Sequence, residues 1–143
     1  MNNEELILEE IPHEYLDWDY NYFTIEEMVC KHTGFLGYDA RFMDSLVTLR
    51  EKCGFPLPVS SYYRHPTHPI EASKANGRGG THTTGKAIDL AVDRERAFIV
   101  LKTALEMGCF LGIGIQQKGK TRFIHLDTCT SQDGLTRPTI WSY

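Results

Sequence analysis

Thr81-His-Thr-Thr-Gly-Lys-Ala-Ile-Asp-Leu-Ala-Val-Asp93 is the stretch on which the fold turns. Gly85 marks a turn. Lys86 to Val92 then alternates as a strand does. Asp93 is placed to cap a helix that carries Phe98, Leu101, Ala104 and Leu105 and stops at Gly108. Loop, strand and helix follow one another directly. The strand has one oddity, because Asp89 interrupts the otherwise apolar Ala87-Ile-Asp-Leu-Ala-Val92. A carboxylate at such a position is costly unless it is paired or bound to a metal.

Towards higher numbers, Leu111–Gln116 and Arg122–Asp127 read as two further strands, with Gly119 suited to the hairpin between them. His125 repeats the oddity of Asp89 inside Phe-Ile-His-Leu. By the two-residue period Phe123, His125 and Asp127 share a face. Towards lower numbers, Phe42, Met43, Leu46, Val47 and Leu49 recur at helical spacing between Asp39 and Cys53, and Gly54 closes that helix. Thr24-Ile-Glu-Glu27 is a capping box that opens a short helix near Met28 and Val29. Phe55 to Tyr63 reads as a loop running into a strand, with Val59 and Tyr63 as strand formers. Residues 65–80 hold two prolines and three glycines (Gly77, Gly79 and Gly80) and read as a loop, with a short helix begun by Pro69. The acidic, aromatic residues 1–22, with Tyr15, Trp18, Tyr20 and Tyr22, are expected to form an irregular arm packed on a domain spanning 23–143. The order of elements points to an α+β domain with a small, largely antiparallel sheet.

The 143 residues suffice for one domain with a real hydrophobic core. Their 19 acidic and 15 basic side chains give a net charge of −4, which leaves no electrostatic case for nucleic acid as the main partner. No stretch is apolar for long enough to span a bilayer. The acidic start, Met-Asn-Asn-Glu-Glu5, lacks the apolar core of a secretory signal, so synthesis in a cytosol is expected. Cys30, Cys53, Cys109 and Cys129 stand far apart and form no Cys-x-x-Cys pair; reduced, mostly buried thiols are expected. A monomer is the expected form.

Three residues carry the chemistry: His82, Asp89 and His125. A turn at Gly85 can fold the His82 imidazole back beside Asp89. Two neutral imidazoles and a carboxylate make a three-ligand zinc set with a fourth position open. Such an ion acidifies water and polarises a carbonyl, as amide hydrolysis requires. The same residues also suit a hydrogen-bonded core His and an Asp that braces a loop, and spacing leaves both readings open.

The segment 81–89 resembles the x-His-x-x-Gly-x-Ala-x-Asp part of the Ser-x-His-x-x-Gly-x-Ala-x-Asp signature of the zinc D-Ala-D-Ala carboxypeptidase family. That group includes bacterial D,D-peptidases and phage L-alanyl-D-glutamate endolysins and shares its fold with the hedgehog signalling domain. Ser60-Ser-Tyr-Tyr-Arg64 resembles the family's Ser-x-Tyr-Arg strand end, Ser60 standing one residue outside the match. Phe123-Ile-His-Leu-Asp127 resembles its closing His motif, and Arg137-Pro-Thr-Ile-Trp-Ser-Tyr143 is similar to the tails of short phage-type members. The resemblance runs from about residue 23 to the end.

It implies that His82, Asp89 and His125 bind Zn2+ and that Arg64 holds a substrate carboxylate or carbonyl. A guanidinium suits that task by offering two parallel donors, although a surface ion pair would also explain Arg64. The implied function is hydrolysis of peptidoglycan stem peptides by a D,D-carboxypeptidase or endopeptidase, a phage lysis enzyme among the options. Without a signal, action on the cell wall would follow release from the cell. One departure stands out. Many members place a Glu three residues before the last His, or a His two before it, as general base; here those positions are Arg122 and Phe123. Asp127 is the first candidate for that work, or else an acceptor that orients His125. His65 and His68 come next. The competing reading is a non-catalytic module of the same fold that keeps zinc for stability and binds the wall.

Overall fold

The computed structural model describes residues 18–74 and 80–143. Most of the expected N-terminal arm, including Tyr15, and the loop glycines Gly77 and Gly79 lie outside the described residues. The elements are α1 (Ile25–Met28), α2 (Ala40–Cys53), β1 (Val59–Ser61), α3 (Pro69–Ala72), β2 (Ala87–Leu90), α4 (Arg94–Met107), β3 (Gly112–Gln116), β4 (Phe123–Asp127) and β5 (Thr139–Ser142). The strands form one five-stranded sheet in the order β1-β2-β4-β3-β5. Its pairs are antiparallel except β3–β5, which is parallel. The fold is thus α+β with a largely antiparallel sheet.

Local chemistry sets the helix ends. The Glu27 carboxylate accepts from the Thr24 backbone N–H at 3.2 Å, so the capping box opens α1. Asp39 caps α2 through the Phe42 N–H at 2.8 Å, and Gly54 ends it at φ +77°. Gly108 ends α4 in the same left-handed conformation. One face of the sheet carries Ile88, Leu90, Ile113, Ile124 and Leu126. It joins Phe42, Met43, Leu46 and Leu49 of α2 and Ala97, Val100 and Ala104 of α4 in one buried cluster.

The phase of α4 differs from the expected stripe. Phe98 and Leu105 are 68% and 59% exposed, whereas Ala97, Val100 and Ala104 are buried. The small side chains at i, i+3 and i+7 face the core, and Leu101 flanks them half-buried. Two strand readings also shift. Tyr63 lies beyond β1, and Thr139–Ser142, which the sequence reading left unassigned, is a strand.

The turn before β2 is a 3₁₀ helix, Thr81–Thr84, closed by Gly85 at φ +74°. A Cβ on Gly85 would also stand 2.9 Å from the Gly37 carbonyl oxygen and from the Tyr38 Cα. Gly85→Ala is therefore expected to cost on the order of 3 kcal/mol, combining left-handed strain with a backbone clash. Gly54→Ala is the control, because nothing lies within 4 Å of the added methyl and only the backbone cost of about 1 kcal/mol remains. Urea unfolding of the two variants checks the difference; equal losses would show that the contact with residues 37–38 does not matter.

Candidate metal centre

The opposite face of the sheet builds the site. Pairing register places Asp89 of β2 beside His125 of β4, His125 beside Gly114 of β3, and Gly114 beside Trp141 of β5. One row thus runs across four strands. The next row holds Ala87, Asp127, Gly112 and Thr139. Both β3 positions are glycine, and their neighbours occupy the space. A Cβ on Gly112 would overlap the Asp127 carboxylate, and one on Gly114 would lie 2.7 Å from the Trp141 indole. The Trp141 ring thereby reaches His125, with ring centroids 5.1 Å apart.

His82 arrives from the 3₁₀ turn, which three bonds strap to β1 and its exit. The Tyr62 hydroxyl donates to the Gly85 carbonyl at 2.5 Å, the Arg64 N–H donates to the His82 carbonyl at 3.1 Å, and His82 Nδ1 meets the Tyr62 carbonyl at 2.7 Å. A carbonyl only accepts, so Nδ1 carries the proton and Nε2 keeps its lone pair. That Nε2 stands 3.3 Å from Asp89 Oδ1. For His125 the roles of the nitrogens reverse. Nε2 donates to Asp127 Oδ2 at 2.7 Å, and Nδ1 faces Asp89 Oδ1 at 3.0 Å. Each imidazole is fixed by one nitrogen and aims the other at Asp89, as metal-ligating histidines are commonly held.

His82, Asp89 and His125 are all buried, and one donor atom from each lies within 4.8 Å of the others. Zinc bonds of about 2.0–2.1 Å in a tetrahedron would set ligand atoms about 3.3 Å apart, close to the two spacings seen here. Donor types, tautomers and spacing fit a zinc ion. Burial works to raise the Asp89 carboxyl's pKa, but His125 and His82, which can donate to it only while those nitrogens carry protons and hold no metal, outweigh it, and the group lies well below the usual carboxylate range. Burial also works to lower the His125 pKa, and the bonds to Asp127 and Asp89 outweigh it, leaving it above the ordinary value. A cation would enter this site by displacing a proton.

Asp127 is fully buried behind His125. Arg137 grips it with two donors, Nε to Oδ1 at 2.9 Å and Nη2 to Oδ2 at 2.8 Å, and the Cys129 N–H reaches Oδ1 at 3.3 Å. Of the two roles considered for Asp127, this placement matches the orienting acceptor. Arg64 lines the cleft, with Nη1 3.1 Å from Glu71 Oε2 and Nη2 3.9 Å from Asp89 Oδ2. Glu71 is fully buried, and its other oxygen accepts from Lys74 at 3.1 Å and from the Gly80 N–H at 2.6 Å. His65 and His68 lie elsewhere, in local turns. His65 Nδ1 accepts from the Thr67 N–H, and His68 Nδ1 accepts from the Ile70 N–H to cap α3. Phe123 is on the cleft wall, while Arg122 Nε donates to the Gly119 carbonyl.

The cleft encloses about 350 Å³, and its wall combines cationic Arg64 and Lys74 with aromatic Phe123, Trp141 and Tyr143. Sequence reasoning missed Glu71, Gly112, Gly114, Arg137, Trp141 and Tyr143 as parts of the site. The alternation Gly112-Ile-Gly-Ile115 was one available signal, since it leaves one face of a strand bare. All four cysteines are free thiols; Cys30 and Cys129 are buried, and Cys53 and Cys109 half-buried. Among the described residues no helix is long and apolar enough to cross a membrane.

An α+β sheet that presents two imidazoles and a carboxylate to an open cleft has the build of a metal-dependent hydrolase. The chain belongs to the Peptidase M15 family, whose profile matches residues 21–127. Comparison with curated proteins and comparison with solved structures each gave no significant match. Membership makes the chain a metallopeptidase by family, in a group that is generally zinc-dependent.

Proposed function

We propose that this protein is a zinc-dependent peptidase that hydrolyses peptide bonds in bacterial peptidoglycan stem peptides, as a carboxypeptidase or an endopeptidase. The observation that carries the reading is the convergence of His82 Nε2, Asp89 Oδ1 and His125 Nδ1, each imidazole locked by a partner on its other nitrogen. His82, Asp89 and His125 would hold the ion. When bound, zinc acidifies water and polarises a carbonyl. Asp127 and Arg137 keep the His125 ring in its tautomer. Arg64, steadied by Glu71, presents a cationic group to the cleft, and Lys74 adds a second positive charge. Stem peptides carry free carboxylates, which those groups suit. Phe123 and Trp141 supply apolar wall that excludes water from the reacting bond.

Asp89 is the carboxylate among the described residues that line the cleft. The lack of an acid at positions 122 and 123 favours the second reading, a zinc-stabilised module that binds the wall without cutting it. Purified protein loaded with zinc and incubated with bacterial peptidoglycan separates the two. Zinc-dependent release of peptide fragments, identified by mass spectrometry, is expected and names the bond cut. Stoichiometric zinc with no fragment released would overturn the peptidase and leave the module.

A further inference from the structure

Tyr143 stands on the cleft wall at a place that nothing above has used. Its backbone N–H donates to the Ile115 carbonyl at 3.3 Å, which carries the β3–β5 ladder one step past Ser142. Two residues beyond Trp141, it faces the same side of the sheet. Its ring packs 5.1 Å from that of Phe123 and 6.5 Å from that of Trp141. The residue is still 54% exposed and borders the cavity that His82, Asp89, His125 and Arg64 line. The position also lies past residue 127, where the family match stops.

The chemistry of the phenol matters most. A phenol carries an O–H that can donate, and here it stands beside the rings of Phe123 and Trp141 on the cleft wall. Tyr143 shares this cleft with Arg64, His82, Asp89 and His125, which places it beside the candidate metal centre. Burial pushes its pKa up, so it stays a donor at neutral pH. The cationic donors of the cleft, Arg64 and Lys74, are each tied to Glu71.

We infer that Tyr143 is a catalytic residue whose hydroxyl donates a hydrogen bond to the carbonyl oxygen of the scissile bond. The inference rests on the peptidase reading and deepens it. In the hydrolysis, water oxygen bonds to the carbonyl carbon, the C–N bond breaks, and the protons of water end on the new amine and carboxyl groups. Tyr143 keeps its proton throughout. Its bond strengthens as negative charge gathers on the carbonyl oxygen, so it lowers the barrier and not the substrate's ground state.

The test compares zinc-loaded wild type with Tyr143→Phe, which retains the ring and its packing. Removing one donor of this kind is expected to lower kcat about 100-fold with KM changed less than about threefold. Zinc stoichiometry and thermal midpoint should not move. A phosphinate analogue of D-Ala-D-Ala, which places oxygen anions where the carbonyl oxygen gathers charge, should bind the variant at least about tenfold more weakly by calorimetry. A kcat within twofold of wild type would overturn the assignment. If the wild type cleaves no wall peptide, the peptidase reading fails by itself. The phosphinate then judges Tyr143 alone, and equal binding to both proteins, or binding to neither, overturns its role.

Discussion

Replacing His82, Asp89 or His125 by Ala is expected to abolish stoichiometric zinc binding and to lower peptide release by about a thousandfold or more, some 4 kcal/mol of barrier. The expectation follows from the division of labour in the site. Each of the three supplies one atom to a common point, and no described residue stands ready to replace it. The fold should largely survive in the His82 variant, because the strap around the 3₁₀ turn keeps the bond from the Tyr62 hydroxyl to the Gly85 carbonyl and the backbone bond from Arg64 to residue 82. What is lost is one bond to the Tyr62 carbonyl, worth about 1 kcal/mol. Zinc content by mass spectrometry, turnover on peptidoglycan and the unfolding midpoint separate these effects. Full activity in any of the three variants would sink the proposed metal centre.

The second large effect concerns stability and lies outside the ligand set. Arg137→Ala is expected to cost about 3 kcal/mol, because it leaves the buried Asp127 carboxylate with His125 and one backbone N–H but without its two-pronged cation. For a domain of this size that corresponds to a fall of roughly 10 °C in melting temperature, measured at fixed zinc. Arg137→Lys should recover only part of the loss, since an ammonium cannot match both carboxylate oxygens at once. Arg137 is also stacked against Trp141, with the guanidinium carbon 5.4 Å from the ring centre, so the Ala variant should loosen the indole as well. A midpoint within 2 °C of wild type would show that the pair contributes little.

The parts of this molecule legible in the sequence were those written in local chemistry. Thr24, Gly54 and Gly108 announced helix ends, because caps and left-handed residues act within one turn. The two-residue period placed His125 and Asp127 on one face, and the contact between them is there. A buried-looking Asp89 in an apolar strand pointed to a partner, and the structure supplies His82 and His125. The family resemblance named the same cluster and the same fold.

What stayed hidden depends on pairing between distant segments. Thr139-Ile-Trp-Ser142 is too short for its alternation to stand out, and its parallel place beside β3 is a tertiary fact. Arg137 reads as one more charge until the chain folds it onto Asp127. Glu71 sits in the short helix α3 within a polar stretch, yet burial and three donors make it the anchor of Arg64 and Lys74. The helix stripe was misread for a related reason. Phe98 and Leu105 looked like core because they are large, but the sheet beneath α4 has room for alanine and valine.

The bare face of β3 has a bearing on how variation in this protein should be read. Gly112 and Gly114 contribute nothing to the centre except vacancy, and that vacancy is the mould into which Asp127 and Trp141 are cast. A methyl group at either position would disturb the histidine and its surroundings while every donor atom kept its identity. A sequence that retains both histidines and both aspartates but carries bulk on β3 would look intact and be damaged. In this architecture the strand with the least chemistry sets the tolerance of the strands that have it.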